Sequence, residues 1–174
     1  MGWKAVKDHY KIGHYVAMHE GKGICIGSGY IHDIIRIDPE KKTINWGKLG
    51  PSHNDDLARY WSEIHADLDA FWRLVEEDDQ FTADLPVYTY EGGKVVEYAC
   101  EQYGWPNVTH DGQMMYENTF FEREEDARKA GIRNAEAGVE SLERIVAQAE
   151  KELEERRGYL AEYRANLASL QSVA

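Results

Sequence analysis

Three groups of residues in this chain could carry chemistry. Cys25, His32 and Asp33 are the types that nucleophilic catalysis uses. A thiolate attacks, an imidazole takes up the proton and a carboxylate orients the imidazole. Cys25 and His32 stand seven residues apart on neighbouring expected strands, so contact between them is open. No nucleophile elbow or helix N-terminus follows Cys25 to lower its pKa, and the polar face of a sheet is the plainer reading. Gly21-Lys22-Gly23 and Gly27-Ser28-Gly29 have the composition of a phosphate cradle. Neither GxxxxGK(S/T) nor a GxGxxG opening a helix is present, and hairpin turns account for these glycines. His9, His14 and His19 recur every five residues, which suits neither one helix face nor one strand face. His19-Glu20 lacks the second histidine of an HExxH zinc motif. No catalytic residue, metal site or cofactor is assigned from these patterns. Lys22, His32 and Arg36 remain an alternative site for a small anionic ligand, because the first 54 residues carry a net charge of +3.

Charge is the strongest compositional signal. The 174 residues hold 32 acidic and 20 basic side chains, for a formal net charge of -12. Phosphate affinity needs Lys and Arg to displace counterions, so direct nucleic-acid binding is not expected. The excess is local: residues 55–91 hold eleven acidic groups against Arg59 and Arg73, a net of -9. At 43% hydrophobic and 11% aromatic the chain has the apolar matter for a core. Its start lacks the apolar stretch of a secretory leader, and no run approaches the roughly 20 residues of a membrane span. A cytoplasmic location is therefore expected. Cys25 and Cys100 are read as two separate buried thiols in a reducing compartment.

The elements that must position these groups follow from periodicity. Tyr10–Met18, Gly23–Ile26, Tyr30–Ile37 and Thr43–Trp46 are β-rich runs bounded by turn residues, which predicts an antiparallel meander. Pro51-Ser52 opens a helix in which Leu57, Tyr60, Trp61, Ile64, Leu68, Phe71, Trp72 and Val75 form one apolar stripe, with Ser52 or Asn54 as cap. The opposite face allows Asp55–Arg59, Arg59–Glu63, Asp69–Arg73 and Arg73–Glu77 pairs. Leu85–Glu91 and Lys94–Cys100 flank Gly92-Gly93, a hairpin signal, and Met114–Asn118 is a last short strand. Tyr88, Tyr90, Tyr98, Tyr103 and Trp105 crowd this hairpin without interleaved bases, so core packing or a protein interface suits them.

From Glu122 the pattern is helical and free of proline to Leu170. Ile132, Val139, Val146, Leu153, Leu160 and Leu167 recur every seven residues. Ala135, Leu142, Ala149, Arg156, Tyr163 and Leu170 follow each by three, so these are heptad positions a and d. A straight helix of this length reaches about 70 Å, whereas a globule of some 120 residues is about 35–40 Å across. Such a helix must project, find a partner or fold back. Arg156 at a core position beside Gly158 is the expected place for a kink or a helical hairpin.

The fold class is therefore α+β: a small antiparallel sheet packed by one amphipathic acidic helix, then a long C-terminal coiled-coil-type helix or hairpin. The expected division is 1–121 for the head and 122–174 for the heptad helix. Small size, acidity, such a head, a terminal coiled coil and no catalytic motif are similar in style to accessory or inhibitor proteins of phages and mobile elements. The function expected is non-enzymatic: an acidic module binding a basic surface of a partner protein, such as a nucleic-acid-binding enzyme, by nucleic-acid mimicry. Asp55, Asp56, Glu63, Asp67, Asp69, Glu76, Glu77, Asp78 and Asp79 would form that surface. Ile132, Val139, Leu142, Val146, Leu153, Leu160, Tyr163 and Leu167 would join two copies. A nucleotide-binding protein or enzyme built on the first sheet, and a purely structural coiled-coil oligomer, are the alternatives.

Overall fold

The structure, a computed structural model, describes residues 2–47 and 54–172. It is α+β, with the order α1 (Trp3–His9), β1 (Tyr15–His19), β2 (Gly23–Gly27), β3 (Ile35–Asp38), β4 (Thr43–Trp46), α2 (Asp55–Ala66) and α3 (Leu68–Glu76). There follow β5 (Leu85–Glu91), β6 (Lys94–Cys100), β7 (Asn107–Val108), β8 (Met114–Met115) and α4 (Glu124–Gln171). The chain divides into two units, Met1–Arg128 and Lys129–Ala174. Among the described residues no helix is long and apolar enough to cross a membrane.

Strands β1 to β4 form an antiparallel meander in sequence order. The register sets Val16 opposite Ile26, Ile24 opposite Ile37, Ile26 opposite Ile35 and Ile37 opposite Ile44. Side chains alternate along a strand, so these residues share one face. On the other face Ala17, Cys25, Arg36 and Asn45 line up across the four strands. The apolar face joins Trp3 and Val6 of α1, Leu57, Tyr60 and Ile64 of α2, and Phe71 and Val75 of α3 in one core. A smaller core of Val87, Cys100, Met115 and Phe120 lies under the β5–β6 hairpin. Gly112, at φ +90°, lets its turn dock on β1: its carbonyl accepts the Met18 N–H at 2.7 Å, and a Cβ there would meet Met18 Cγ at 2.3 Å.

Several boundaries differ from the sequence expectation for identifiable reasons. The expected first strand Tyr10–Met18 starts instead at Tyr15, because Tyr10 ends α1, where Trp3, Val6 and Tyr10 are spaced for a helix face and are buried. The expected strand Tyr30–Ile37 shrinks to Ile35–Asp38. Ser28 Oγ accepts the N–H groups of Tyr30 and Ile31, holding a turn that leaves Tyr30 96% exposed. Met114–Asn118 contributes only Met114 and Met115 as strand, since Thr119 and Phe120 N–H groups both donate to the Tyr116 carbonyl and close a turn. The hairpin Leu85–Glu91 and Lys94–Cys100 forms with the expected bounds.

The acidic helix is two helices. Asn54 caps α2 by accepting the N–H groups of Asp56 and Leu57 at 3.0 and 3.2 Å, while the alternative cap Ser52 lies outside the described residues. Asp67 leaves helical geometry at φ -147°, and its carboxylate accepts the Ala70 N–H at 2.9 Å, so it ends α2 and caps α3. This break turns the stripe, and Leu68 stands 41% exposed while Phe71 and Val75 are buried. Of the four ion pairs allowed by the spacing, Arg59–Glu63 forms at 2.9 Å. By contrast α4 is a single helix that continues through Arg156 and Gly158, so the hairpin expected there does not form. A glycine costs about 1 kcal/mol in a helix interior, which 48 residues with no proline absorb.

The capping role of Asp67 is testable against its exposed neighbour. Asp67→Ala should cost about 1 kcal/mol in urea denaturation. Asp69→Ala, in the first turn of α3 and without a cap bond, should stay within about 0.5 kcal/mol of the parent.

Candidate functional site

Three places in the molecule are candidates for function: the acidic faces of α2 and α3, a cleft at one end of the meander, and the heptad face of α4. On the first, Asp55, Asp56, Glu63, Asp67, Asp69, Glu76, Glu77 and Asp78 are exposed. Their roles are unequal. Glu63 is paired with Arg59, Glu76 with Lys42 of the β3–β4 turn at 2.9 Å, and Asp67 is a cap. Asp79 is placed differently from the rest. It is half-buried, its Oδ1 accepts the Ala5 N–H at 2.8 Å in the first turn of α1, and burial pushes its carboxyl above the ordinary range. Asp79 thus serves to seat α1, leaving Asp55, Asp56, Asp69 and Glu77 as the outward core of the acidic surface.

The cleft, of about 900 Å³, lies where the β1–β2 and β3–β4 turns approach the Gln113-Met114 segment. His19, Lys22, His32, Glu40 and Lys41 are among its lining residues. The His19 and His32 rings stack at 5.4 Å, and burial, followed by the nearness of His32, lowers the pKa of His19. His32 Nε2 lies 2.5 Å from the Tyr116 hydroxyl, which donates to the Gly29 carbonyl at 3.1 Å. Of the alternative ligand residues, Lys22 and His32 face this cleft, whereas Arg36 is not part of its lining. Asp33 Oδ2 accepts from Lys22 Nζ at 2.9 Å and from Arg36 Nη2 at 2.5 Å, so one carboxylate already engages both cations. Sequence pattern alone missed this cluster: His19 and Tyr116 sit 97 positions apart and only the fold brings them to one place.

Cysteine chemistry finds no support in the geometry. Cys25 and Cys100 are both free and buried. Burial pushes the Cys25 thiol up to about 11 and raises that of Cys100 as well, so neither is a thiolate near neutral pH. The His32 imidazole bonds to Tyr116 and Gly29 rather than to Cys25. Among the described residues no group of three His, Cys, Asp or Glu side chains is arranged to hold a metal ion.

On α4 the expected oligomerisation residues share one stripe and stand open. Ile132, Val139, Leu142, Val146, Leu153, Leu160, Tyr163 and Leu167 are between 49% and 73% exposed. Ile145 and Tyr159, which flank the stripe, are more than 60% exposed. Isolated surface leucines are ordinary, but a contiguous apolar strip along a whole helix is characteristic of an interaction surface. Comparison with protein-family models, curated proteins and solved structures finds no match to this chain.

The Asp33 cluster has a pH signature. The hydrogen bond from Lys22, and then that from Arg36, hold the Asp33 carboxyl below the usual carboxylate range. A depressed carboxyl pKa stabilises the fold fully above the unfolded value near 3.9 and is lost as pH falls through the folded one. Asp33→Asn should therefore lower stability at pH 7 by up to about 1 kcal/mol, since the pairs are partly exposed and screened. Denaturation curves of variant and parent should converge in acid, below the folded pKa of Asp33.

Proposed function

We propose that this protein is a non-enzymatic interaction module in which α4 joins two copies and the acidic faces of α2 and α3 engage a basic protein surface. The observation that carries the reading is the open heptad stripe of α4. A helix of 48 residues keeps a and d positions for about six heptads, yet those side chains lie exposed. Burying apolar surface contributes about 25 cal/mol per Å², so a stripe of this length has a strong drive toward a partner helix. Light scattering of the full chain should report twice its 20.0 kDa mass. Val146→Lys with Leu160→Lys should return it to that of a single chain, and a single-chain mass in the parent across micromolar concentrations overturns the reading.

Support for the second surface comes from its charge and placement. Asp55, Asp56 and Asp69 lie on short helices held by the main core, Glu77 follows directly at the end of α3, and rigid spacing of like charge suits a Lys- and Arg-lined groove. In its most specific form the module occupies such a groove in a nucleic-acid-binding protein and keeps nucleic acid out. The immobilised chain should retain a basic protein from host lysate at low salt and release it as ionic strength rises. Reversal of Asp55, Asp56, Asp69 and Glu77 to Lys should abolish that retention. Equal retention by both chains overturns the role of this face.

A further inference from the structure

We infer that α4 pairs with α4 of a second copy in antiparallel orientation, in one register centred between Glu154 and Glu155. This rests on the self-association proposed above and adds its geometry. The determinant is charge at the positions that flank the stripe. The e positions are Glu136, Glu143 and Glu150 in the first half of the stripe and Arg157, Arg164 and Gln171 in the second. In an antiparallel pair e faces e and g faces g, whereas in a parallel pair g faces e, so flanking charges select orientation.

In the antiparallel register Glu150 faces Arg157 of the second copy, Glu143 faces Arg164, and Glu136 faces Gln171. Twofold symmetry doubles each contact, which makes four Glu–Arg pairs. The stripe itself then sets Val139 beside Leu170 of the second copy, Val146 beside Tyr163, Leu160 beside Ala149 and Leu167 beside Leu142. Arg156, a charged residue at a d position, comes to lie beside Leu153 of the second copy and within reach of Glu152 at the flanking g position. A charge in a coiled-coil seam is tolerated where it finds an opposite partner, and this register supplies one.

The parallel arrangement lacks this match, and the slipped antiparallel ones add like-charge contacts to it. A parallel pair in register sets Arg156 against Arg156 in the seam. Its only opposite-charge flanking contact is Glu152 with Arg157, because the other g positions are Gly131, Gly138, Ile145, Tyr159 and Asn166. Sliding the antiparallel pair by one heptad keeps four Glu–Arg contacts in one direction, Glu143 with Arg157 and Glu136 with Arg164, but adds Glu150 against Glu150 and Glu152 against Glu152. In the other direction it sets Arg157 against Arg157. Like charges in direct opposition are the usual means of rejecting a wrong register.

Cysteine cross-linking in the full chain reads the arrangement directly, since the native Cys25 and Cys100 are buried. A mixture of Leu142→Cys and Leu167→Cys chains should give a disulfide-linked dimer under mild oxidation, and neither chain alone should. Cross-linking of either variant with itself overturns the antiparallel orientation while leaving self-association standing. A monomer at every concentration overturns self-association as well. Charge exchange provides the second reading. Arg157→Glu with Arg164→Glu should weaken dimerisation by about tenfold or more, and mixing with Glu143→Arg plus Glu150→Arg chains should restore it. Failure of the mixture to form a heterodimer overturns the register.

Discussion

The first unit depends on one constraint: the apolar face of a four-stranded meander must be covered. Val16, Ile24, Ile26, Ile35 and Ile37 are fully buried, and helices supply the cover. A single straight helix crosses only part of a twisted sheet. The break at Asp67 gives the covering segment two directions, so that Leu57, Tyr60 and Ile64 on one side and Phe71 and Val75 on the other reach the same core. Trp46 of the edge strand stacks on Trp61 at 4.6 Å, closing the rim. Even Asp79 follows from this need, because its carboxylate holds the first turn of α1 against the end of α3.

Covering the sheet also sorts the acidic residues. Those that meet other elements acquire structural work: Asp67 as a cap, Glu76 against Lys42, Asp79 under α1. The remainder point outward from helices whose apolar sides are committed to the core. Surface carboxylates in this setting contribute little to stability. The opposite economy holds at the cleft, where Asp33 draws Lys22 and Arg36 together and leaves His19, His32 and Tyr116 as the distinctive side chains.

The second unit has the reverse problem. Its helix has good local reasons to form: alanine, glutamate, leucine and arginine dominate, and proline is absent. Its stripe nevertheless stays open along its length. Helical propensity shapes the rod, while its exposed a/d seam adds little burial of its own.

Much of this was legible in local pattern. The Gly92-Gly93 hairpin, the meander, the apolar stripe from Leu57 to Val75 and the heptads from Ile132 to Leu170 all declare themselves through spacing, because spacing decides which side chains share a face. The charges that flank the heptad stripe are equally a property of the linear order. What needed the tertiary structure was every choice between alternatives of similar local merit. Tyr10, expected to open a strand, instead ends a helix, because Trp3 and Val6 have a core to enter and Trp3 Nε1 finds the His110 carbonyl at 3.0 Å. The seating of α1 by Asp79 and the meeting of His19, His32 and Tyr116 likewise rest on contacts between distant segments. Local sequence sets which residues can lie on one face; only the packed chain decides which face finds a neighbour, since burial is a property of the partner as much as of the residue.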